Sequence, residues 1–486
     1  MRIGLLFLIV LGASEAAFPQ HNGGRNFYID TTGNDGADGT KETPWKTLSR
    51  LKLLQLKAGD RVLLKGGQVF DGSIQLDSGI HGSAGLPISI SSYGSGKALI
   101  RSGNRAAIRL YQNRFIRISD LLLEGSGRKN GNTESGLVIA GCRHITVNGV
   151  GVRGFQKAGL AAQASSNLRI SHVFAADNGY AGISIEGEYG KRDAAHIYVG
   201  DCRAENNPGD PSNLTNHSGN GIVAGYCRDL LIEYCAATNN GWDMPRKGNG
   251  PVGIWAYESD SVTIRYCISY RNKTSVGGGD GGGFDLDGGI THSVIHHCLS
   301  YDNQGSGFGI FQYAGAAPWH DNEISYNISE NDGAVSPAGA GVFIWNNSRD
   351  PLQLRDLDFH HNIIYNEKAA AISYETESEH SGFRFHDNNF IASRQLILGR
   401  DIVGRDVFLN NNWWSLSDGF NIDGIKNLGS WSAQTGKEQV NGKLAGTNNR
   451  PMFVNAGHTL LTDPRSLDRF FNYRTAKKQD LRNKVH

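Results

Sequence analysis

The chain has almost no net charge, little proline and no long apolar segment. Its 486 residues carry 48 Lys+Arg against 47 Asp+Glu, so there is no cationic excess to neutralise phosphates, and a nucleic-acid partner is excluded. The 12 prolines, without a G-X-Y period, exclude a collagen-like chain. No apolar run reaches the ~20 residues of a membrane-spanning helix. C-x-x-C pairs are missing, which argues against a structural zinc site. Long helical patterns are missing too, and with them an ordinary layered α/β fold. What abounds is glycine, 64 residues or about 13% of the chain, against roughly 7% in average usage. An apolar fraction of 39% is ample for a core and argues against global disorder.

The chain opens MRIGLLFLIVLGASEAAFPQ. Arg2, an apolar run from Ile3 to Leu11 and small residues at Ala13, Ala16 and Ala17 predict a secretory signal peptide over residues 1–17. The mature chain is expected to be secreted or periplasmic, with no membrane contact after signal removal.

Five segments then align: ISHVFAADN (Ile170–Asn178), YVGDCRAENN (Tyr198–Asn207), LIEYCAATNN (Leu231–Asn240), TIRYCISYRN (Thr263–Asn272) and VIHHCLSYDN (Val294–Asn303). Cysteines recur at 202, 235, 267 and 298, in steps of 33, 32 and 31, and an asparagine follows each marker five positions on. The first segment has Val173 at the marker, and Asn327 and Asn362 continue the series. Within each repeat, short runs of alternating residues are separated by Gly, Asn and Asp, a strand pattern. Repeats made only of short strands and turns predict a parallel β-solenoid whose coils stack ~4.8 Å apart. Asparagine suits its turns, because it tolerates the left-handed conformation and its amide can bond the next asparagine in the stack. The cysteines are expected as free, buried thiols at an inward position.

The fold class expected is all-β, a single-stranded right-handed parallel β-helix over 98–408. It would have an N-terminal cap and entry strands over 18–97 and an irregular C-terminal cap or tail over 409–486, as solenoid ends require.

The stretch from Gly250 to Tyr313, with GVFIWNN at Gly341, carries the candidate chemistry. Aligning its coils on their leading glycines puts Ile254/Ala256, Phe284/Leu286, Phe308/Ile310 and Val342/Ile344 inward. Trp255/Tyr257, Asp285/Asp287, Gly309/Phe311 and Phe343/Trp345 then face outward. Trp255, Tyr257, Phe311, Phe343 and Trp345 are the candidate substrate-binding residues, since an exposed aromatic stripe is costly unless something such as a sugar ring stacks on it. Asp285 and Asp287 stand two apart on one strand, roughly 6.5–7 Å between β-carbons, a spacing suited to acid and base across a glycosidic bond with water between. With Asp280 they could instead hold Ca²⁺, or cap turns; mid-strand aspartate is disfavoured, which favours function for the pair. Arg246, Lys247, Arg271, Lys273, His292 and His320 are candidate cations or bases near this face. His296 and His297 are read as structural.

The segments DGT-x₃-PWKTL, AGDRVLLKGG and ISISSYGSGKALI resemble the entry of the pectate-lyase-like superfamily of right-handed parallel β-helices. GGGDGGGFDLD is similar to the D-G-F loop and strand of family-nine polysaccharide lyases. That resemblance implies calcium bound by Asp280, Asp285 and Asp287 and a lysine that abstracts the substrate proton. The family's lysine falls at Asp287 here, and Lys273, in the loop before, is the substitute on offer. The expectation is an exported enzyme that cleaves an acidic polysaccharide, with a calcium-assisted lyase placed first. An inverting hydrolase using Asp285 and Asp287, a uronate epimerase and a non-catalytic carbohydrate-binding solenoid are the alternatives. The chain is expected to be a monomer.

Overall fold

The computed structural model describes residues 23–335, 339–375, 379–393, 395–399, 405–470 and 472–474. Short alternating strands separated by turns wind the chain into coils, and each coil gives one strand to each of three sheets. In one turn, Ala181–Glu186 joins the second sheet, Ala194–Gly200 the first and Arg203–Glu205 the third; Asn220–Gly225 then re-enters the second. The sheets hold 14, 12 and 13 strands, paired in parallel register. The architecture is a right-handed parallel β-helix, the hand that parallel crossover connections strongly favour.

Inward residues stack in columns. Ile222/Ala224, Ile254/Ala256, Phe284/Leu286, Phe308/Ile310 and Val342/Ile344 are all buried and belong to one continuous core. Each fully buried Ile, Leu or Phe contributes roughly 1.5–3 kcal/mol of hydrophobic stabilisation. The asparagine column forms the predicted ladder: Asn207 Nδ2 donates to Asn240 Oδ1, Asn240 to Asn272 and Asn272 to Asn303, each at 2.9 Å. Asp332 ends the run by accepting from Asn303 at 2.8 Å. The left-handed residue is not the ladder asparagine but its predecessor, Asp177, Asn206, Asn239, Arg271 or Asp302, at φ 52–58°. That turn aims the next side chain inward. All six cysteines are free and buried.

Coil structure reaches beyond the expected limits at Ala98 and Phe408. Asn26–Ile29, Arg61–Lys65 and Ile88–Tyr93 already pair in the first sheet, Ile74–Leu76 in the second and Val69–Asp71 in the third. Their inward residues alternate as in later coils, although longer connections hide the period. At the far end Asn412–Ser415 forms the last rung of the third sheet. The helix Leu428–Thr435 then places Trp431 on Trp413, ring centroids 5.7 Å apart, and closes the core. The chain next folds back along the coils. Leu461, Leu467 and Phe470 cover Tyr270 and Tyr301 of the third sheet, and Glu330, buried, accepts from the backbone N–H of Thr459 at 2.8 Å. The predicted signal segment, residues 1–17, lies outside the described residues. No described helix is long and apolar enough to cross a membrane.

Candidate active-site groove

Strand register in the second sheet decides which side chains meet. Trp255 pairs with Asp285, Asp285 with Gly309, Gly309 with Phe343 and Phe343 with Ser373. A second outward column carries Tyr257, Asp287, Phe311, Trp345 and Glu375. The backbone N–H of Asp287 donates to Ala256 O at 2.9 Å, and Phe311 pairs with Trp345. Two aspartates thus stand between aromatic coils, as the alternation predicts, on the wall of a groove of about 810 Å³ that Asp280 also lines.

The groove is more enclosed than an exposed stripe. Trp255 is 3% and Phe311 8% exposed, while Tyr257, Phe343 and Trp345 are half-buried. The aromatics cover each other: Phe311 meets Phe343 edge-on at 5.5 Å and Trp345 at 6.2 Å. Trp255 donates from Nε1 to Asn220 Oδ1 at 3.1 Å and meets the His217 ring edge-on at 4.8 Å. His217, a loop residue with no place in the repeat, therefore roofs part of the face.

Glycine makes the space for the chemistry. A β-carbon at Gly309 would lie 3.0 Å from Asp285 Oδ1 and 2.8 Å from the Phe311 ring. Asp285 is buried, and its Oδ1 has no hydrogen-bond partner. Burial, then the charges of Asp287 and Asp280, push its carboxyl well above the usual range. Asp287 is pushed up to about 7, by burial first and then by Asp280 and Glu258, against the N–H of Gly288 that its Oδ1 accepts. Asp280, at φ 53°, is pushed up to about 6 by burial, against the N–H of Gly250, which Oδ2 accepts at 2.7 Å, and the charge of Arg246.

Lys273 is not brought to these carboxylates. It follows the inward Asn272 at the corner of the coil and lines a separate cavity of about 480 Å³, with Arg271, Glu205 and Asp302. Of the other candidate cations, Arg246 lines the groove. His292 and His320 meet at a different turn, ring centroids 5.6 Å apart.

The expected calcium ligands do not converge either. Among the described residues, Asp280, Asp285 and Asp287 form no group with an oxygen from each within 4.8 Å of the others. Calcium at 2.3–2.6 Å from each ligand needs them about that close. Two of the three carboxylates are also engaged by backbone N–H groups. The arrangement does not fit one ion shared by all three.

Residues 27–339 match the family described as "Pel9A-like, right handed beta helix region". The chain belongs to this Pel9A-like β-helix family. No curated protein matches it. Among solved structures, this Pel9A-like chain is similar to the GH136 lacto-N-biosidase from Eubacterium ramulus, with 17% identity over 75% of this chain and 67% of that one and a TM-score of 0.56. It is also similar to the Dettilon tailspike protein (14% identity, 75% and 67% covered, TM-score 0.51). The mannuronan C-5 epimerase AlgE4 A-module from Azotobacter vinelandii is a third (15% identity, 75% and 91% covered, TM-score 0.50). At these identities the likeness is one of fold.

Sequence reasoning missed His217, Glu258 and Tyr313. His217 comes from a loop without periodicity. The Asn220 amide nitrogen donates to His217 Nδ1 at 3.0 Å, which puts the ring proton on Nε2. Burial first, then Arg246, lowers its pKa to about 4, so the ring is neutral near pH 7. Glu258, one past Tyr257, accepts from Ala317 N and Tyr313 OH at 3.3 Å, and burial raises its pKa. Tyr313 keeps the outward parity of Phe311, a signal that could have found it.

Proposed function

We propose that the Pel9A-like chain hydrolyses glycosidic bonds of a polysaccharide bound along the groove, as a secreted or periplasmic enzyme. One observation carries this reading: two carboxylates on one outward face, between aromatic side chains, are both pushed above the usual range by burial, with no lysine among the described residues lining the groove. Asp285, whose carboxyl burial pushes well above the usual range, is the general acid that gives its proton to the leaving glycosidic oxygen. Asp287, balanced at about 7, is the base that takes a proton from the attacking water. Their separation, roughly 6.5–7 Å between β-carbons, leaves room for that water and points to inversion at the anomeric carbon. The half-buried Tyr257, Phe343 and Trp345 supply faces for sugar rings, Trp255 and Phe311 back them from beneath, and the asparagine ladders supply a rigid frame. Among the described residues lining the groove, Arg246 is the one cation, against Asp280, Asp285, Asp287 and Glu375. Neutral glycans therefore belong in the substrate panel beside acidic ones.

The test is release of reducing ends from neutral and uronate polysaccharides, with chelator or with added calcium. The hydrolase gives saturated products in chelator, and Asp287→Asn abolishes them. The calcium-assisted lyase is the second reading, favoured by the unpartnered Oδ1 of Asp285, with an ion held by fewer than all three aspartates. It gives unsaturated products that need calcium. Sugar binding without cleavage of any substrate, unchanged by Asp285→Asn and Asp287→Asn, is the outcome of a non-catalytic solenoid.

A further inference from the structure

The turns that lead from the second sheet into the first stack along one edge of the coil. Backbone bridges align Asp260 with Thr291 and Thr291 with His320. The next residues, Ser261, His292 and Asp321, all take the left-handed conformation, at φ 56°, 48° and 55°. Register and turn shape together gather side chains from three successive coils.

Their hydrogen bonds have the order of a ligand shell. His292 Nδ1 lies 2.8 Å from Asp260 Oδ1. That oxygen also accepts from Thr291 Oγ1 at 2.7 Å, and the other Asp260 oxygen accepts from Ser261 Oγ at 3.0 Å. A carboxylate so fixed holds the proton on Nδ1 and leaves the Nε2 lone pair for a ligand, the usual support for a metal-binding imidazole. His292 Nε2 is 3.9 Å from Asp321 Oδ2, and His320 Nδ1 is 2.7 Å from the same oxygen. Among the described residues, His292, His320 and Asp321 are the one group whose three possible ligand atoms all lie within 4.8 Å of one another.

We propose that His292, His320 and Asp321 bind a divalent transition-metal ion of the zinc type, with Asp260 as the positioning carboxylate. Ligands at ~2.0–2.1 Å on a tetrahedral ion stand about 3.3 Å apart. The distances of 2.7 and 3.9 Å lie on either side of that value, so side-chain rotation suffices to close the shell. Two imidazoles and one carboxylate suit zinc, copper or nickel and not calcium. His292 and Asp321 are exposed, which leaves a fourth position to water. Asp260 adds negative charge; the Arg355 guanidinium, paired with Asp356, opposes the ion from the next coil. The bound ion would tie the coils of Asp260, His292 and His320 together at the turn that follows Asp287, an effect on stability separate from hydrolysis.

The full purified chain, freed of metal, is titrated with zinc chloride while heat of binding and thermal unfolding are followed. One zinc per chain that raises the Tm is expected. His292→Ala and His320→Ala should each abolish it, and Asp260→Asn should weaken binding about 10–100-fold. The imidazole pairs His296/His297 and His360/His361, Nδ1 atoms 2.8 and 2.9 Å apart, are competing sites. A chain carrying His296→Ala and His297→Ala, or one carrying His360→Ala and His361→Ala, should therefore still bind. Should an alanine variant fail to fold, Asp321→Asn tests the same shell by removing only a charge. Unchanged zinc uptake in the His292→Ala/His320→Ala chain, or none in the unaltered chain, overturns the proposal.

Discussion

The asparagine column and the aspartate pair are polar groups in one coil, treated in opposite ways. From Asn207 to Asn303 each side-chain amide donates to the next residue of the column, and the same carbonyl oxygens accept from backbone N–H groups. Every demand of burial is met by repetition. On the opposite parity of the second sheet, Asp285 is buried with Oδ1 unmatched, and burial first, then neighbouring carboxylates, hold both it and Asp287 above the ordinary range. An unsatisfied buried acceptor costs about 1–3 kcal/mol, more than a scaffold position would retain without a use. Repetition marks what holds the molecule; its failure marks what the molecule acts with.

The sharpest break of this contrast comes at the aspartates. Asp285→Asn and Asp287→Asn should each lower turnover by about 10²–10⁴-fold, measured as initial rate on the best substrate of a panel. Yet Asp285→Asn should stabilise the fold at alkaline pH. With its folded pKa raised, Asp285 holds its proton more tightly in the native chain than in the unfolded chain, which releases it above roughly pH 4. Stability then falls as pH rises, and the variant's Tm advantage should grow from pH 5 to pH 8. The rate should rise through about pH 7 as Asp287 loses its proton, and a rate that is flat there removes Asp287 as the base.

Next in size is Gly309→Ala. The added methyl would stand 2.8 Å from the Phe311 ring and 3.0 Å from Asp285 Oδ1. Shifting the ring and the carboxyl should cost up to about 10²-fold in kcat, and the overpacking about 1–3 kcal/mol of stability. Asn240→Ala is the contrasting case. It takes the acceptor from the Asn207 backbone N–H, while Asn207 Nδ2 keeps Ala175 O and Asn272 Oδ1 keeps the Asn240 backbone N–H, and should cost about 1–3 kcal/mol by urea denaturation, with unchanged activity per folded molecule. The smallest effect is expected at Lys273→Ala, which faces the other cavity: turnover should stay within about twofold, well under 1 kcal/mol of barrier.

The coil was legible because Cys202, Cys235, Cys267 and Cys298 and their following asparagines repeat in register. The outward parity of Trp255, Asp285 and Phe343 followed from the same alternation. Coil ends were harder to read: the early strands are separated by connections long enough to erase the period. Lys273 was misjudged because residues on either side of a corner face different sheets, so closeness in sequence to Asp280 says nothing about closeness in space. The roof over Trp255 was invisible for a related reason. His217 reaches it from a loop whose path no alternation constrains.

The most direct measurement is proton NMR of the first product released from a cleavable polysaccharide in chelator. The account predicts a saturated sugar with a free reducing end of inverted anomeric configuration, absent with Asp287→Asn. An unsaturated uronate that forms only with calcium would contradict it and return the aspartates to a metal-binding role.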